Sequence, residues 1–537
     1  MKLGPILRTL RYLRPAQILW RLWYRLRLPL FRTPFYVARL YRGQPTAPTS
    51  QPPAAPGSAA HGREILAGRL VVLGQEIALD AGFDWHPANR SALWRFTLHY
   101  CEWLADLAVL GEEGREHARA MIVDWLSHHR VPDAEAWHPY PLSLRLYAWL
   151  AHADFLLEGA DDTFRTEFLR SLHAQARHLA RVVERDVGGN HIIKNLKALI
   201  AVGQCLPGHE ATVRQALRHL RREVARQVLR DGAHYERSPS YHLQVLTDLT
   251  EIGEIIASSP DWLVNALGRM ETALAFYRHG DGMLALFNDG SIGDPTMIEA
   301  LVDGATAPET LADAGYQRIA TDGLLVLFDA GRCCPDDLPA HAHADTLSFE
   351  FSDLGQRLVV NCGTFAYQDP LWRNRLRGTA SHSTVTVDDL DSAEVYGIFR
   401  LGRRPRRVTA IRQDNRASAI HDGYRHLGIT HERGLELSAG GLTGRDGLSG
   451  PGLPGRRISA RFHLHPSVRA SLTRDGITLL TPDGKAWNFR AEGASHSLVP
   501  SVYCPDFNVM LATQAIVCEA QAASNTASLA WSFARSP

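Results

Sequence analysis

The sequence predicts two domains in series, a helical α/α toroid followed by an antiparallel β-sandwich, in a multidomain α+β chain. Three observations predict it. From about Ser91 to Ala305, apolar residues recur at spacings of three and four, the period of a helix buried along one face. Many such stretches follow one another through short loops and share no fixed-length repeat, which favours a toroid over a solenoid. From about Gln317 the period changes to two, and Asp422-Gly423, Asp446-Gly447 and Asp483-Gly484 punctuate the runs as turns. At 537 residues the chain is also too long for one ordinary core.

The elements follow in chain order. Residues 1–42 form a basic arm. Eleven of the 58 Lys and Arg residues precede the first acidic residue, Glu64, so the rest of the chain is net acidic. Pro15 to Leu28 can form a helix, with proline tolerated in its first turn. Arg14, Arg21, Arg25 and Arg32 recur at helical spacing beside Leu19, Trp20, Trp23 and Leu26. Two readings stand. The helix lies on an anionic membrane surface as a peripheral contact, or it packs on the protein's own body with its arginines solvated. Neither a secretory signal nor a membrane span is visible, because arginines interrupt every apolar run.

Residues 43–62 are rich in Pro, Ala and Ser and read as a flexible linker. A short hairpin is expected over Arg69–Ile77. The toroid domain spans 63–316, with helical stretches near 115–130, 141–157, 163–186, 191–204, 210–229, 239–258 and 261–278. The sandwich spans 317–537. Seven cysteines without a CxxC pair fit no disulfide framework, and a reduced compartment is the simpler reading.

Polar chemistry gathers at a few points. Asn190-His191 opens an apolar-periodic helix, with Asn190 where an N-cap belongs. Ser238-Pro239-Ser240-Tyr241-His242 reads as N-cap, first helical residue and first turn. A tyrosine at that helix end can act as general acid and base, or it can be a half-buried ring on a capped helix. His341-Ala-His343-Ala-Asp345, Asn361 and Arg377 through His382 cluster among alternating strands, where residues two apart share a face. No phosphate-binding glycine loop or serine nucleophile elbow stands out. The net acidic body argues against nucleic-acid binding.

Taken as an ordered set, these pieces resemble the heparinase II/III-like polysaccharide lyase family, in its bacterial, exopolysaccharide-associated form. The matching segments are Trp137-His-Pro-Tyr140-Pro-Leu-Ser-Leu-Arg145, Asn190-His191, Ser238 to His242, His341 to Asp345, Gly363-Thr364 and Arg377 to His382. The later Phe462-His-Leu-His465-Pro also matches. The resemblance implies the toroid and sandwich, and a β-elimination on uronate-containing acidic polysaccharide that needs no cofactor. It implies that Asn190 and His191 neutralise the uronate carboxylate. Tyr241 then protonates the leaving oxygen, and His341 serves as second base. Tyr140, Arg145, His242 and Arg377 become candidate substrate contacts, although the two arginines can instead tie loops together.

Members of the family can carry a metal in the sandwich. The matching positions are His343, Asn361 and His382, and two histidines suit a structural Zn²⁺. The neutral amide of Asn361 is a poor zinc ligand. The other reading makes His343 and His382 hydrogen-bonded supports for His341. A second departure is Lys194, which stands where the family often has an acid. It either alters a cleft or lies on a solvated helix face. Two rivals to a lyase remain: a glycoside hydrolase, with Asp231 and Glu236 as candidate carboxylates, and a non-catalytic exopolysaccharide-binding or assembly protein. The expected location is cytoplasmic or peripheral to the inner membrane, with the periplasm as the alternative.

Overall fold

A computed structural model describes residues 11–79, 83–474 and 476–536. The first ten residues of the basic arm lie outside this range. The chain packs as two compact units. One holds Arg14–Ala225 and Thr247–Asn265. The other holds Arg226–Leu246 and Ala266–Pro537.

The first unit is helical. Its main helices are Pro15–Phe31, Glu112–His128, Pro139–Ala151, Asp162–Val182, Gly189–Cys205 and Glu210–Gln227. All but Pro15–Phe31 bury an apolar stripe, as the three-and-four spacing requires. Asp162–Val182 buries Phe164, Phe168, Leu172 and Leu179, and Asp161 caps it by accepting from the Phe164 N–H. The expected hairpin forms from β1 (Arg69–Val72) and β2 (Gln75–Ala78).

One segment differs from expectation. Residues 43–62, read from composition as a flexible linker, are tied down. Thr46 N–H donates to His173 Nε2 at 3.1 Å, and Ser58 N–H to Asp106 Oδ1 at 2.7 Å. Thr49 N–H donates to the Cys205 carbonyl at 2.8 Å. The last four residues of the stretch enter a helix, Ala59–Leu66. Proline and alanine restrict a chain without dictating that it float, and here its backbone polar groups find partners. The helix Pro15–Phe31 packs one face on its own unit. Arg27 donates to the Arg181 carbonyl, Arg185 stacks on Trp20, and Phe31 meets His178 edge-on.

The second unit is built on two antiparallel sheets. In spatial order the first runs β11 (Val408–Gln413), β12 (Arg416–His421), β13 (Thr430–Ser438), β14 (Gly441–Ser449), β21 (Thr526–Arg535), β18 (Ala486–Glu492), β17 (Gly476–Leu480) and β16 (Arg469–Thr473). The other runs β19 (Ser495–Tyr503), β20 (Leu511–Gln521), β15 (Arg457–Leu464), β7 (Gln356–Val360), β6 (Phe349–Asp353), β5 (Leu324–Asp329), β4 (Tyr316–Thr321) and β3 (Thr310–Leu311), with β8 (Val385–Val387) also on β15. A small ribbon pairs β9 (Val395–Tyr396) with β10 (Arg400–Leu401). Their inner faces meet in an aromatic core. Phe349 stacks on Trp531 with ring centres 5.4 Å apart, and Phe351 meets Trp487 edge-on at 5.3 Å. β5 (Leu324–Asp329) is buried throughout, which explains its unbroken apolar run. All seven cysteines are buried and free.

Candidate active site

In the sheet-bearing unit, the polar residues converge on Asp289. This carboxylate is fully buried. It accepts from His341 Nδ1 at 3.0 Å, His343 Nε2 at 2.7 Å and Thr364 Oγ1 at 3.1 Å. Both terminal nitrogens of Arg373 also bind it, NH2 at 2.7 Å. Burial alone would raise Asp289. The Arg373 charge and the two imidazole bonds override it and hold the carboxyl well below the usual range. With Nδ1–H of His341 committed to Asp289, the Nε2 lone pair of His341 is left to act as a base. It faces Glu236, whose Oε2 lies 3.7 Å away.

Tyr241 is set against this base. Ser238 caps the helix Pro239–Ile255: its Oγ accepts from the Tyr241 N–H at 3.1 Å and donates to the Asp289 carbonyl. The Tyr241 ring stacks on His341 with centres 3.8 Å apart. Its hydroxyl pairs with that of Tyr367 at 2.8 Å. Burial, with Asp289 behind it, raises Tyr367 well above the usual phenol range. A phenol and an imidazole are thus held ring to ring in one site, the residue types that acid–base transfer needs.

The other unit carries Asn190 and His191. Asn190 is not the N-cap. Gly188 fills that position at φ +73°, and Asn190 is the second helical residue, buried. A glycine pays no steric penalty at positive φ, so the cap shifts two residues upstream. The His191 ring lies tilted against Tyr140 with ring centres 4.2 Å apart, and its Nδ1 lies 3.2 Å from Glu184 Oε1. Burial would raise Glu184. His191 and His138 outweigh it and keep the carboxyl low, so the carboxylate fixes the His191 ring through Nδ1.

Three proposed substrate contacts are structural instead. Arg145 is completely buried; it donates to Gln175 Oε1 and the His99 carbonyl and stacks on Trp125. Burial lowers it to about 10. Arg377 is equally buried and donates to the carbonyls of Ala342, Pro339, Gly397 and Ile398. It does tie loops together, through carbonyls and not carboxylates. His242 spends both ring nitrogens: Nδ1 accepts from His234 N–H, and Nε2 donates to the Met270 carbonyl. Lys194 does not lie on a solvated face. It pairs with buried Asp248 at 2.8 Å, beside Lys197 at 3.0 Å.

The zinc reading fares poorly on its donor set. His343 Nδ1 and His382 Nε2 face each other at 3.0 Å. The Asn361 carbonyl oxygen is taken by the Ser383 N–H at 3.0 Å, and its amide nitrogen is buried without a partner. The third position therefore presents a donor where a metal needs a lone pair. Asp345 accepts from the Asn288 N–H and belongs to the Arg237–Asp329 charge cluster. Burial lowers His343 to about 3. His343 and His382 back the Asp289–His341 pair.

Sequence reasoning missed Asp289, Arg373, Tyr367 and Glu184. Asn288-Asp289-Gly290 reads as a turn, and Arg373 sits one helical turn before Arg377 on Pro370–Arg377. That spacing was the one available signal.

The model "Heparinase II/III N-terminus" matches residues 73–302, and "Heparinase II/III-like, C-terminal" matches 303–532. FtsZ-localized protein C of Caulobacter vibrioides is 31% identical over 486 residues, 83% of each chain. A heparin-sulfate lyase of Bacteroides stercoris is 24% identical over 350 residues, 57% of this chain and 51% of that protein. Among solved structures, heparinase III superposes with a TM-score of 0.75 at 14% identity, covering 97% of this chain and 92% of that one. A heparan sulfate lyase HepC mutant from Pedobacter heparinus gives 0.64 at 18% identity, covering 93% and 87%. These likenesses establish the fold, an α/α toroid with a β-sandwich.

Proposed function

The chain belongs to the heparinase II/III-like family, and on that premise we propose that it is a polysaccharide lyase that cleaves a uronate-containing acidic polysaccharide by β-elimination. The observation that carries this reading is the Tyr241 ring stacked on a His341 whose Nδ1 is committed to Asp289. The C5 proton of a uronate is weakly acidic because its neighbour is already a carboxylate. A base removes that proton, the electron pair forms the C4=C5 bond, and the C4–oxygen bond breaks. His341 Nε2 takes the proton when it faces that side, and Tyr241 takes it for the opposite stereochemistry. Tyr241 protonates the departing oxygen. Asn190 and His191 are assigned the charge that builds on the carboxylate, a task for preorganised donors. Glu184 supports that role by orienting His191.

A hydrolase needs two carboxylates opposite each other. Of the two candidate carboxylates, Asp231 is bound by the N–H groups of Ala233, Asp313 and Ala314, whereas Glu236 lies against His341 Nε2 at 3.7 Å; with one of them engaged, the opposed pair is incomplete. This supports elimination over hydrolysis. The test is absorbance of the unsaturated uronate on a panel of acidic polysaccharides, beside Tyr241→Phe. The expected result is a rising signal that the variant lowers by about 10²–10⁴-fold. Saccharide binding without turnover would instead favour a non-catalytic exopolysaccharide-binding or assembly protein.

For the arm we propose peripheral contact with an anionic membrane. Leu19, Leu22, Trp23, Leu26 and Leu30 share one face of Pro15–Phe31 and are each more than half exposed. Arg21, Arg25 and Arg32 beside them are exposed too. Apolar surface rimmed by arginine suits acyl chains under acidic headgroups. Among the described residues, no helix is long and apolar enough to cross a membrane. Co-sedimentation with phosphatidylglycerol-containing vesicles should be lost in Leu22→Glu/Leu26→Glu. Equal binding by that variant overturns the proposal.

A further inference from the structure

Cys333 and Cys334 stand side by side in the loop between β5 and β6, upstream of His341 in the same loop. Their sulfurs are 3.9 Å apart. Both side chains are buried, yet Cys334 lines a cleft of about 610 Å³ together with Gly331, Arg332, Pro335 and Arg237. The acid–base chemistry uses neither thiol. We propose that Cys334 is a peroxide-reactive thiolate, and that Cys333 resolves its oxidised form as a disulfide between neighbours. The oxidant it takes is a hydroperoxide small enough to enter the cleft.

The surroundings of Arg404 favour the thiolate. Arg404 is 1% exposed. Its NH1 donates to Cys334 Sγ at 3.0 Å and to the carbonyls of Pro335 and Asp336, and its NH2 to the Leu401 carbonyl. Tyr12 covers its face at 4.1 Å. None of these acceptors is a carboxylate. The Asp336 side chain is near, but it is half exposed and bonds Arg332. A buried cation costs stability unless an anion offsets it. Of the acceptors of Arg404, only the sulfur can become that anion. The hydrogen bond from Cys333, then the charges of Arg404 and Arg237, hold the Cys334 thiol below its ordinary range although burial opposes them. The Cys333 thiol is pushed up by the same bond and by burial. One sulfur is thus ionised while its neighbour keeps its proton, the arrangement of a reactive cysteine beside a resolving one.

The chemistry proceeds in two steps. The Cys334 thiolate attacks the outer oxygen of the hydroperoxide. An S–O bond forms, the O–O bond breaks, and the departing oxide takes a proton from water to leave as water or an alcohol. The sulfur of Cys333 then attacks the sulfenic acid of Cys334. The S–S bond forms, the S–O bond breaks, and hydroxide leaves with the Cys333 proton as water. Two electrons pass from the thiol pair to the peroxide. Adjacent Cα atoms are about 3.8 Å apart, less than the roughly 4.4–6.8 Å that disulfides prefer. The product is therefore strained and readily reduced by a thiol, as a reversible modification requires.

The position of the pair gives the modification a consequence. Ala342 and Ala344, which flank His343, pack in one apolar cluster with both cysteines. Arg404 holds the carbonyls of Pro335 and Asp336, and Arg377 those of Pro339 and Ala342. Closing the disulfide draws the sulfurs to about 2 Å and removes the charge that Arg404 faces. The loop that these arginines hold in place carries His341. Oxidation therefore lowers turnover, an effect that rests on the proposed role of His341, whereas the oxidation itself does not.

The test uses the full chain, reduced, freed of reductant and exposed to hydrogen peroxide, with peptide mass spectrometry as the readout. The expected product is a Cys333–Cys334 peptide lighter by the two thiol hydrogens and restored by dithiothreitol. Cys333→Ser removes the resolving thiol, and its Cys334 should stop at a sulfenic acid that dimedone traps. Iodoacetamide at pH 7 should label Cys334 ahead of the other six cysteines. Arg404→Met should slow that labelling by about tenfold. Circular dichroism matching the parent confirms that each variant is folded, and Cys333→Ser leaves Arg404 in place if Arg404→Met does not fold. In the parent, peroxide should lower lyase kcat and dithiothreitol restore it, while Cys333→Ser/Cys334→Ser keeps its activity in peroxide. Labelling of Cys334 no faster than its fellows, or peroxide treatment that yields no disulfide between the neighbours, overturns the proposal. These readouts hold for a chain without lyase activity, so failure of the catalytic reading is told apart from failure of this one.

Discussion

Replacing Asp289 by asparagine would disturb His341, His343, Thr364 and Arg373 at once, because all four meet on that carboxylate. Arg373 would be left as a buried charge without its counter-ion, a change that costs about 3–5 kcal/mol. Chemical denaturation of Asp289→Asn should show that loss. Lyase activity of the fraction still folded should fall as well, since His341 loses the acceptor that fixes its tautomer. Asp289 was not legible in the sequence because Asn-Asp-Gly is first of all a turn signature. Tyr241 could be read from its capped helix start, whereas His341 stands in the loop between β5 and β6 and not on a strand, so only its motif pointed to it. Arg145, His242 and Arg377 show the limit of such reading. Motif membership says that a residue matters and nothing of whether its donors face a ligand or the protein's own carbonyls.

Ser238 joins an element to the site. Its hydroxyl caps the helix Pro239–Ile255 and reaches the carbonyl of Asp289. Ser238→Ala should cost about 1 kcal/mol as a lost cap, read from thermal or chemical unfolding. It should also lower kcat more than it raises KM, because the cap sets the height of Tyr241 against His341. Restoration of kcat by Ser238→Thr, which keeps the hydroxyl, separates positioning from mere destabilisation. Helices were the most legible elements. The stretch read near 210–229 is Glu210–Gln227, and that near 261–278 is Asp261–Phe276. Both carry long amphipathic patterns that tertiary contacts had no reason to override. The stretch 43–62 was the least legible, because its partners, His173, Cys205 and Asp106, lie far away in sequence.

At the scale of the whole molecule, a buried ion pair within one sheet of the sandwich reaches the chain that leads into the other sheet. Arg433 on β13 binds Asp446 on β14 in a bidentate pair at 2.8 and 2.9 Å, and donates to the carbonyls of Leu347 and Ser383. Trp531 and His431 bind the same carboxylate. Burial would raise Asp446, but Arg433 and His431 outweigh it and hold it well below the usual range. A depressed carboxyl contributes stability above its unfolded pKa of about 3.9, and loses it as pH falls through the folded value. The stability gap between the parent and Asp446→Asn should therefore be flat from neutral pH down to about 4 and close below it. A gap that widens on acidification would contradict the assignment. The two-domain order was legible at this scale from the change of period alone. The pairing of β14 with β21 across a long insertion was not, because nothing local records it.

The central claim is elimination, and it is tested most directly by the fate of water. Cleavage of a susceptible acidic polysaccharide in heavy-oxygen water, followed by mass spectrometry, reads it out. The account predicts fragments without the label, one of each pair carrying an unsaturated uronate, because no water enters the bond that breaks. A labelled oxygen on the new reducing end would show hydrolysis and contradict it.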